Sequence, residues 1–307
     1  MKAGSDLEKV FEAGKFAVTA EIGPPQSANP EPLVHHAKLL KGSADAFNLT
    51  DNQTAVVRLS SIASAAIVMR EGIEPVIQMT CRDRNRIALQ SDLLGASAIG
   101  VKNVLCLTGD HQTFGNEKGA KSVFDFDSIS ELYTFDRLRT EGLQSGGNVI
   151  EDEPPKLYLG CAENPFATPY EFRAMRLAKK INAGADFVQT QAIFDMDMFE
   201  KWMDEVRGRG LDKKVHIMAG VIPMKTAGAA RYMKNKVPGM IVPNHIIDRM
   251  KNASDPKEEG IKLCVEQIEA FKNMKGVHGV HIMAVKWEEI VPRIVDMAGL
   301  LPRPSLK

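Results

Sequence analysis

Glu21 follows Val18-Thr19-Ala20 in an apolar run, and a carboxylate buried there is costly unless it has a partner or a task. Proton transfer is the task that suits it; a structural ion pair is the alternative. Asp110 comes directly after Gly109, whose missing Cβ allows backbone to approach a ligand closely, although Asp110 could equally cap the following loop. Gln189 and Gln191 are two residues apart, so on a strand they share one face. Amides that donate and accept suit the edge of a heterocycle, and a polar layer inside a core would use them equally well. Cys81-Arg82-Asp83-Arg84-Asn85 carries two guanidiniums that could grip a phosphate or carboxylate, or open a helix as a salt-bridged cluster.

Other candidates recede on spacing. His278 and His281 form an H-x-x-H pair, but on a strand that spacing sends the rings to opposite faces, so no shared metal is expected and His281 alone can line a pocket. His35 and His36, adjacent on a helix, diverge and read as surface residues. Met69, Met175, Met218 and Met283 read as core filler. Neither G-x-G-x-x-G nor G-x-x-x-x-G-K occurs, which removes the common nucleotide loops.

The 39 Lys and Arg balance 39 Asp and Glu, so no net field draws the chain to nucleic acid or an anionic membrane. Four cysteines, with no C-x-x-C pair, argue against a disulfide framework or zinc knuckle and for a reducing, cytoplasmic setting. No signal-type or membrane-spanning apolar stretch is read, so a soluble, unprocessed protein is expected.

These residues need a scaffold that brings distant positions together. Eight short β-rich runs, 16–22, 46–50, 75–80, 103–108, 157–161, 187–191, 215–220 and 280–284, alternate with helical patterns at 59–71, 84–94, 129–140, 169–183, 196–207 and 288–298. Several runs are apolar on both faces, as strands between a barrel interior and an outer helical ring must be. The expectation is an α/β fold, a (β/α)₈ TIM barrel, forming one catalytic domain over residues 1–307. Ala183-Gly184 and Leu94-Gly95 read as helix stops. Two connections are unusual: 111–127 is rich in Gly, Lys and Asp, and 225–279 is long enough for two or three helices. The polar loop 144–156 should lie at the end opposite the site. A (β/α)₈ barrel works at the carboxyl ends of its strands, and here those ends are polar: Glu21, Thr50-Asp51-Asn52, Gln78 to Arg82, Thr108 to His111, Glu163-Asn164, Gln189 to Gln191, and His281.

Taken in order, Ala20-Glu21-Ile22-Gly23-Pro24-Pro25, Leu107-Thr108-Gly109-Asp110, Lys180 to Asp186 leading into Thr190-Gln191, Gly220-Val221-Ile222-Pro223 and Gly279-Val280-His281 resemble the methylenetetrahydrofolate reductase family. The resemblance implies a barrel that holds FAD, or FMN, and passes hydride to 5,10-methylenetetrahydrofolate to give 5-methyltetrahydrofolate. It implies Glu21 as the acid, Asp110 as the carboxylate that tunes flavin and folate, and Gln191 as the residue orienting the pterin, with Gln189 and His281 beside it. Thr50, Thr80, Arg82, Thr108, Gly109, Asp110 and Lys180 are the implied cofactor-side residues, Lys180 reaching the phosphate region.

The chain departs from that pattern in places. Arg173 replaces an aspartate that usually contacts the cofactor, and Ala227 stands where pyridine-nucleotide-using relatives carry a stacking phenylalanine. The expected donor is therefore an electron-transfer protein rather than NAD(P)H alone, docking near 111–127 and 225–279. The competing readings are a flavin-free pterin-binding methyltransferase barrel and a catalytically silent barrel subunit.

Overall fold

The structure, a computed structural model, describes residues 1–237 and 239–306. Eight parallel strands close into a barrel in chain order: β1 (Ala17–Ile22), β2 (Ala46–Leu49), β3 (Pro75–Thr80), β4 (Asn103–Leu107), β5 (Tyr158–Glu163), β6 (Phe187–Ala192), β7 (His216–Val221) and β8 (Gly279–Ile282). β8 returns to β1 in register, Val18 against Val280 and Thr19 against His281. The foreseen runs match these strands to within two residues at each end, because burial on both faces leaves an unbroken apolar signature.

Eleven α-helices accompany them among the described residues: α1 (Asp6–Glu12), α2 (Glu31–Leu40), α3 (Ser61–Arg70), α4 (Arg86–Ala98), α5 (Ser128–Thr140), α6 (Arg173–Asn182), α7 (Met196–Gly208), α8 (Ala227–Lys236), α9 (Asn244–Asn252), α10 (Pro256–Lys272) and α11 (Val291–Met297). Side-chain caps set several starts, Asn85 accepting from Ile87 and Ala88 N–H and Asp127 from Ser130 N–H. The 225–279 connection forms α8, α9 and α10, with a separate apolar cluster that includes Met224, Met233, Met250 and Leu263.

Three sequence readings need correction. α4 runs through Gly95 to Ala98, and the turn comes at Gly100, where φ is 97°; burial of Leu89, Leu93 and Ala96 outweighs the ~1 kcal/mol cost of a helical glycine. Met175 is no core filler but 40% exposed on the outer side of α6, whereas Met218 is fully buried. The helix foreseen over 169–183 starts as a 3₁₀ turn, Tyr170–Phe172, before α6.

α1, which the sequence reading did not anticipate, closes the amino-terminal end of the barrel. Leu7, Val10 and Phe11 pack with Ala17, Ala46, Leu105, Tyr158, Phe187 and Met218. Tyr158 stacks on Phe187 at 5.4 Å, and Gly160 makes room, since a Cβ there would lie 2.3 Å from the Phe187 ring. Overpacking makes Gly160→Ala cost roughly 1–3 kcal/mol in denaturant unfolding.

Two histidines complete this end. His216 Nδ1 is hydrogen-bonded to the Tyr158 hydroxyl at 2.8 Å, and the ring lies under Phe11 and meets His278 edge-on at 5.3 Å. Burial lowers both pKa values, that of His278 to about 4, with the charge of His216 as a further cause. The unfolded chain therefore takes up protons that the folded chain refuses once pH drops below the ordinary value of 6.5. Stability should fall as pH descends from 6.5 toward about 4, and urea melts should show the gap between wild type and His278→Gln narrowing across that window.

Candidate active site

At the carboxyl ends of the strands a cavity of about 410 Å³ is lined by Glu21, Gln78, Thr108, Gln189, Gln191 and His281, with Arg173, Arg176 and Lys180 on one side. A cavity of about 500 Å³ lies outside the barrel between α7, α9 and α10, but its Arg249 is spent on Glu259 and Glu266. Chemistry is better served by the first.

β1 carries Glu21 to the cavity floor, where its side chain is 13% exposed. Its Oε1 lies 3.4 Å from Gln78 Nε2 and 3.5 Å from His281 Nε2. One layer deeper, His281 Nδ1 is 2.9 Å from Thr19 Oγ1, and Gln189 Nε2 donates to Thr19 Oγ1 at 3.0 Å. Gln189 and Asn48 exchange amide hydrogen bonds of 2.7 and 3.0 Å. Gln189 is thus spent inside the barrel, as the polar-layer alternative has it. Gln191 differs, because pairing of β6 with β7 slips between Gln189 and Ala192. Its Oε1 accepts from Ala192 N at 3.0 Å, and its side chain stays half-buried on the cavity wall.

The β3 end is held by charge. Asp51, fully buried, accepts from Thr80 N at 3.0 Å, Thr80 Oγ1 at 2.9 Å and Arg84 Nη1 at 2.6 Å. Arg82 pairs with Asp83 at 2.6 Å and donates to the carbonyls of Asp110 and Asn52. The two guanidiniums foreseen as an anion grip are therefore engaged by carboxylates of the chain, Arg84 also with Asp92. Gly109 has φ of 90° and sits against Arg82 and Thr80, where a Cβ would come within 3.0 Å, so it lets the chain cross the β3 end. Asp110 beyond it is exposed. Thr108 Oγ1 accepts from Ser128 N at 3.1 Å and lines the cavity at the start of α5. The Thr50 hydroxyl is buried without a partner among the described residues. Thr50, Thr80, Arg82, Gly109 and Asp110 surround the mouth without lining the cavity itself.

Lys180 donates to Glu163 at 2.9 Å and to the Ala162 carbonyl, and both side chains of the pair are almost wholly buried. Its charge is matched within the chain. Arg173 donates to the Thr168 carbonyl at 3.1 Å, and Arg176 has no carboxylate within ion-pair distance among the described residues. Sequence reasoning missed Arg176, and it placed Gln78 and Glu163 at strand ends without giving them a role in the site. Positions 173, 176 and 180, three and four apart on one helix face, were the available signal for Arg176.

Removing one member of a buried ion pair strands the other charge. Lys180→Met should therefore lose about 3–5 kcal/mol in urea unfolding, and Lys180→Met with Glu163→Gln should lose clearly less. Equal losses in the two variants would remove the pair from any role in holding α6 against β5.

Known proteins share this architecture and sequence pattern. Residues 6–299 match the family model described as methylenetetrahydrofolate reductase. A probable methylenetetrahydrofolate reductase (NADPH) from Caenorhabditis elegans is 24% identical over 96% of this chain and 44% of its own length. A 5,10-methylenetetrahydrofolate reductase from Pectobacterium carotovorum is 22% identical over 94% of this chain and 92% of its own. The chain thus spans under half the length of the nematode relative. Among solved structures, an uncharacterized Clostridium thermocellum protein described as binding two copies of 5-methyl-5,6,7,8-tetrahydrofolic acid superposes with a TM-score of 0.64 at 15% identity, covering 96% of this chain and 98% of that one. That likeness is one of fold. The family match over nearly the whole barrel, with Glu21, Gln191 and His281 gathered at one strand-end cavity, places this chain in the methylenetetrahydrofolate reductase family.

Proposed function

We propose that the chain reduces 5,10-methylenetetrahydrofolate to 5-methyltetrahydrofolate with a noncovalent flavin as its redox group. The observation that carries this is Glu21, set on the floor of a cavity walled by amides and beside two unmatched guanidiniums. The residues present fit a flavin: Gln53 on the cavity wall can meet a heterocycle edge, the buried Thr50 hydroxyl outside that wall has no partner among the described residues, and Arg173 and Arg176 suit a phosphate ester. When bound, that group supplies a two-electron carrier able to deliver hydride to the folate's methylene carbon.

The chain's own groups do the rest. Glu21 holds the proton that assists breaking of the imidazolidine C–N bond, leaving the exocyclic carbon an iminium centre open to hydride. Gln191 orients the pterin through its amide. Asp110 acts through space, its charge favouring the cationic iminium and disfavouring an anionic reduced cofactor. FAD is the expected form and FMN the alternative. An electron-transfer protein is the proposed donor, since Ala227 opens α8 with a methyl group where a stacking ring would hold a nicotinamide.

Purified protein should be yellow with an oxidised-flavin spectrum, and chromatography of the released cofactor identifies FAD or FMN. A colourless preparation that takes up neither would support a methyltransferase barrel or a silent subunit instead. Glu21→Gln should slow the folate half-reaction by roughly 10²–10⁴-fold with flavin binding retained; turnover at the wild-type rate would remove Glu21 from the proton step. Asp110→Asn should raise the flavin midpoint potential while slowing hydride transfer to the folate. Rapid anaerobic bleaching of the isolated chain by NADH, at the rate of folate reduction, would overturn the partner-donor reading.

A further inference from the structure

We infer that Thr19, held by Gln189, which is itself paired with Asn48, fixes His281 as its Nε2–H tautomer, so that His281 is a positioning residue that donates to Oε1 of Glu21 and leaves Oε2 to carry the transferable proton. The inference rests on the proposed acid role of Glu21 for its functional half, and on hydrogen-bond directions alone for its tautomer half.

Those directions follow along the chain of contacts. Gln189 Nε2 donates to Thr19 Oγ1 at 3.0 Å, so that oxygen is already an acceptor and has one proton to give. Two acceptors are within its reach, His281 Nδ1 at 2.9 Å and the Met218 thioether at 3.9 Å. An imidazole nitrogen at hydrogen-bond distance is much the stronger acceptor, whereas a thioether accepts weakly. The hydroxyl proton goes to Nδ1. With Nδ1 accepting, the ring carries its own proton on Nε2, which faces Glu21 Oε1 at 3.5 Å. Gln78 Nε2 approaches the same oxygen at 3.4 Å. Both donors converge on Oε1, and long contacts of this kind tighten when a ligand closes the site.

The arrangement also decides where the proton does not come from. Behind His281 the contacts end in the Gln189 and Asn48 amides, which exchange hydrogen bonds with each other and neither release nor take up protons at neutral pH. The barrel interior is a lock and not a conduit. Glu21 must regain its proton through the open cavity.

Nitrogen-15 NMR of the histidine rings tests this, with the His281 signals assigned by comparison with His281→Asn. The wild type should show the Nε2–H pattern, Thr19→Ser should keep it, and Thr19→Val should give averaged tautomer signals. An Nδ1–H pattern in the wild type would overturn the inference, with Thr19 then donating to Met218. In the folate half-reaction, Thr19→Val should move the high-pH limb upward by about one unit, because the carboxylate loses a donor, and Thr19→Ser should restore it. An unmoved limb in a Thr19→Val protein that melts like wild type would leave His281 a packing residue only. Should Thr19→Val fail to fold, the wild-type and Thr19→Ser tautomers still decide. The absence of any folate chemistry in the wild type would overturn the proposed function while leaving the tautomer result to stand by itself.

Discussion

Closing eight parallel strands into a barrel creates an interior that water does not reach, and every polar side chain pointing into it must find its partner there. This constraint orders the molecule from one end to the other. At the amino-terminal end the interior is apolar and aromatic, with Phe187, Tyr158 and Met218 packed beneath α1. The middle layer is polar but mutually satisfied, through Asn48, Gln189, Thr19 and His281. Only in the uppermost layer do Glu21 and Gln191 keep capacity for a ligand. The reactive end thus stands on a rigid, fully paired layer, which is what precise placement of a proton donor demands.

Charge follows the same logic outside the barrel interior. Asp51 with Arg84, Asp186 with Arg139, and Glu163 with Lys180 are pairs in which each buried charge has a partner and further hydrogen bonds. Asp51 with Arg84 and Glu163 with Lys180 secure the carboxyl ends of β2 and β5, the latter to α6, while Asp186 with Arg139 ties the start of β6 to α5 at the opposite end of the barrel. Against that background Arg173 and Arg176 are distinctive. At the edge of the cavity these two guanidiniums have no carboxylate within ion-pair distance among the described residues, which leaves positive charge facing that space.

The connection between β7 and β8 stands apart from the barrel core. α8 and α9 with part of α10 share an apolar cluster of their own, rich in methionine, that rests on the strand-end loops. The strand-end cavity takes no lining residue from α8, α9 or α10; Met283, packed against this cluster, is the point at which the two meet. No helix among the described residues is long and apolar enough to cross a membrane.

The sequence by itself determined the barrel, because period, length and burial on both faces mark each strand locally, and it marked Glu21, Gln191 and His281 as strand-end groups. It also allowed two or three helices in the long connection, where the structure has three. It could not say which of Gln189 and Gln191 faces the ligand: the two share a face by spacing, and only the slip in pairing between β6 and β7 separates them. Nor could it say that Arg84 and Lys180 are neutralised while Arg176 has no carboxylate partner among the described residues, since the partners of Arg84 and Lys180 lie 33 and 17 positions away and are brought to them by the fold. α1 escaped notice for the same reason, a short segment of seven residues whose apolar face acquires meaning only against the open end of the barrel. Local pattern fixes elements; which polar groups remain available is decided by contacts between residues far apart in the chain.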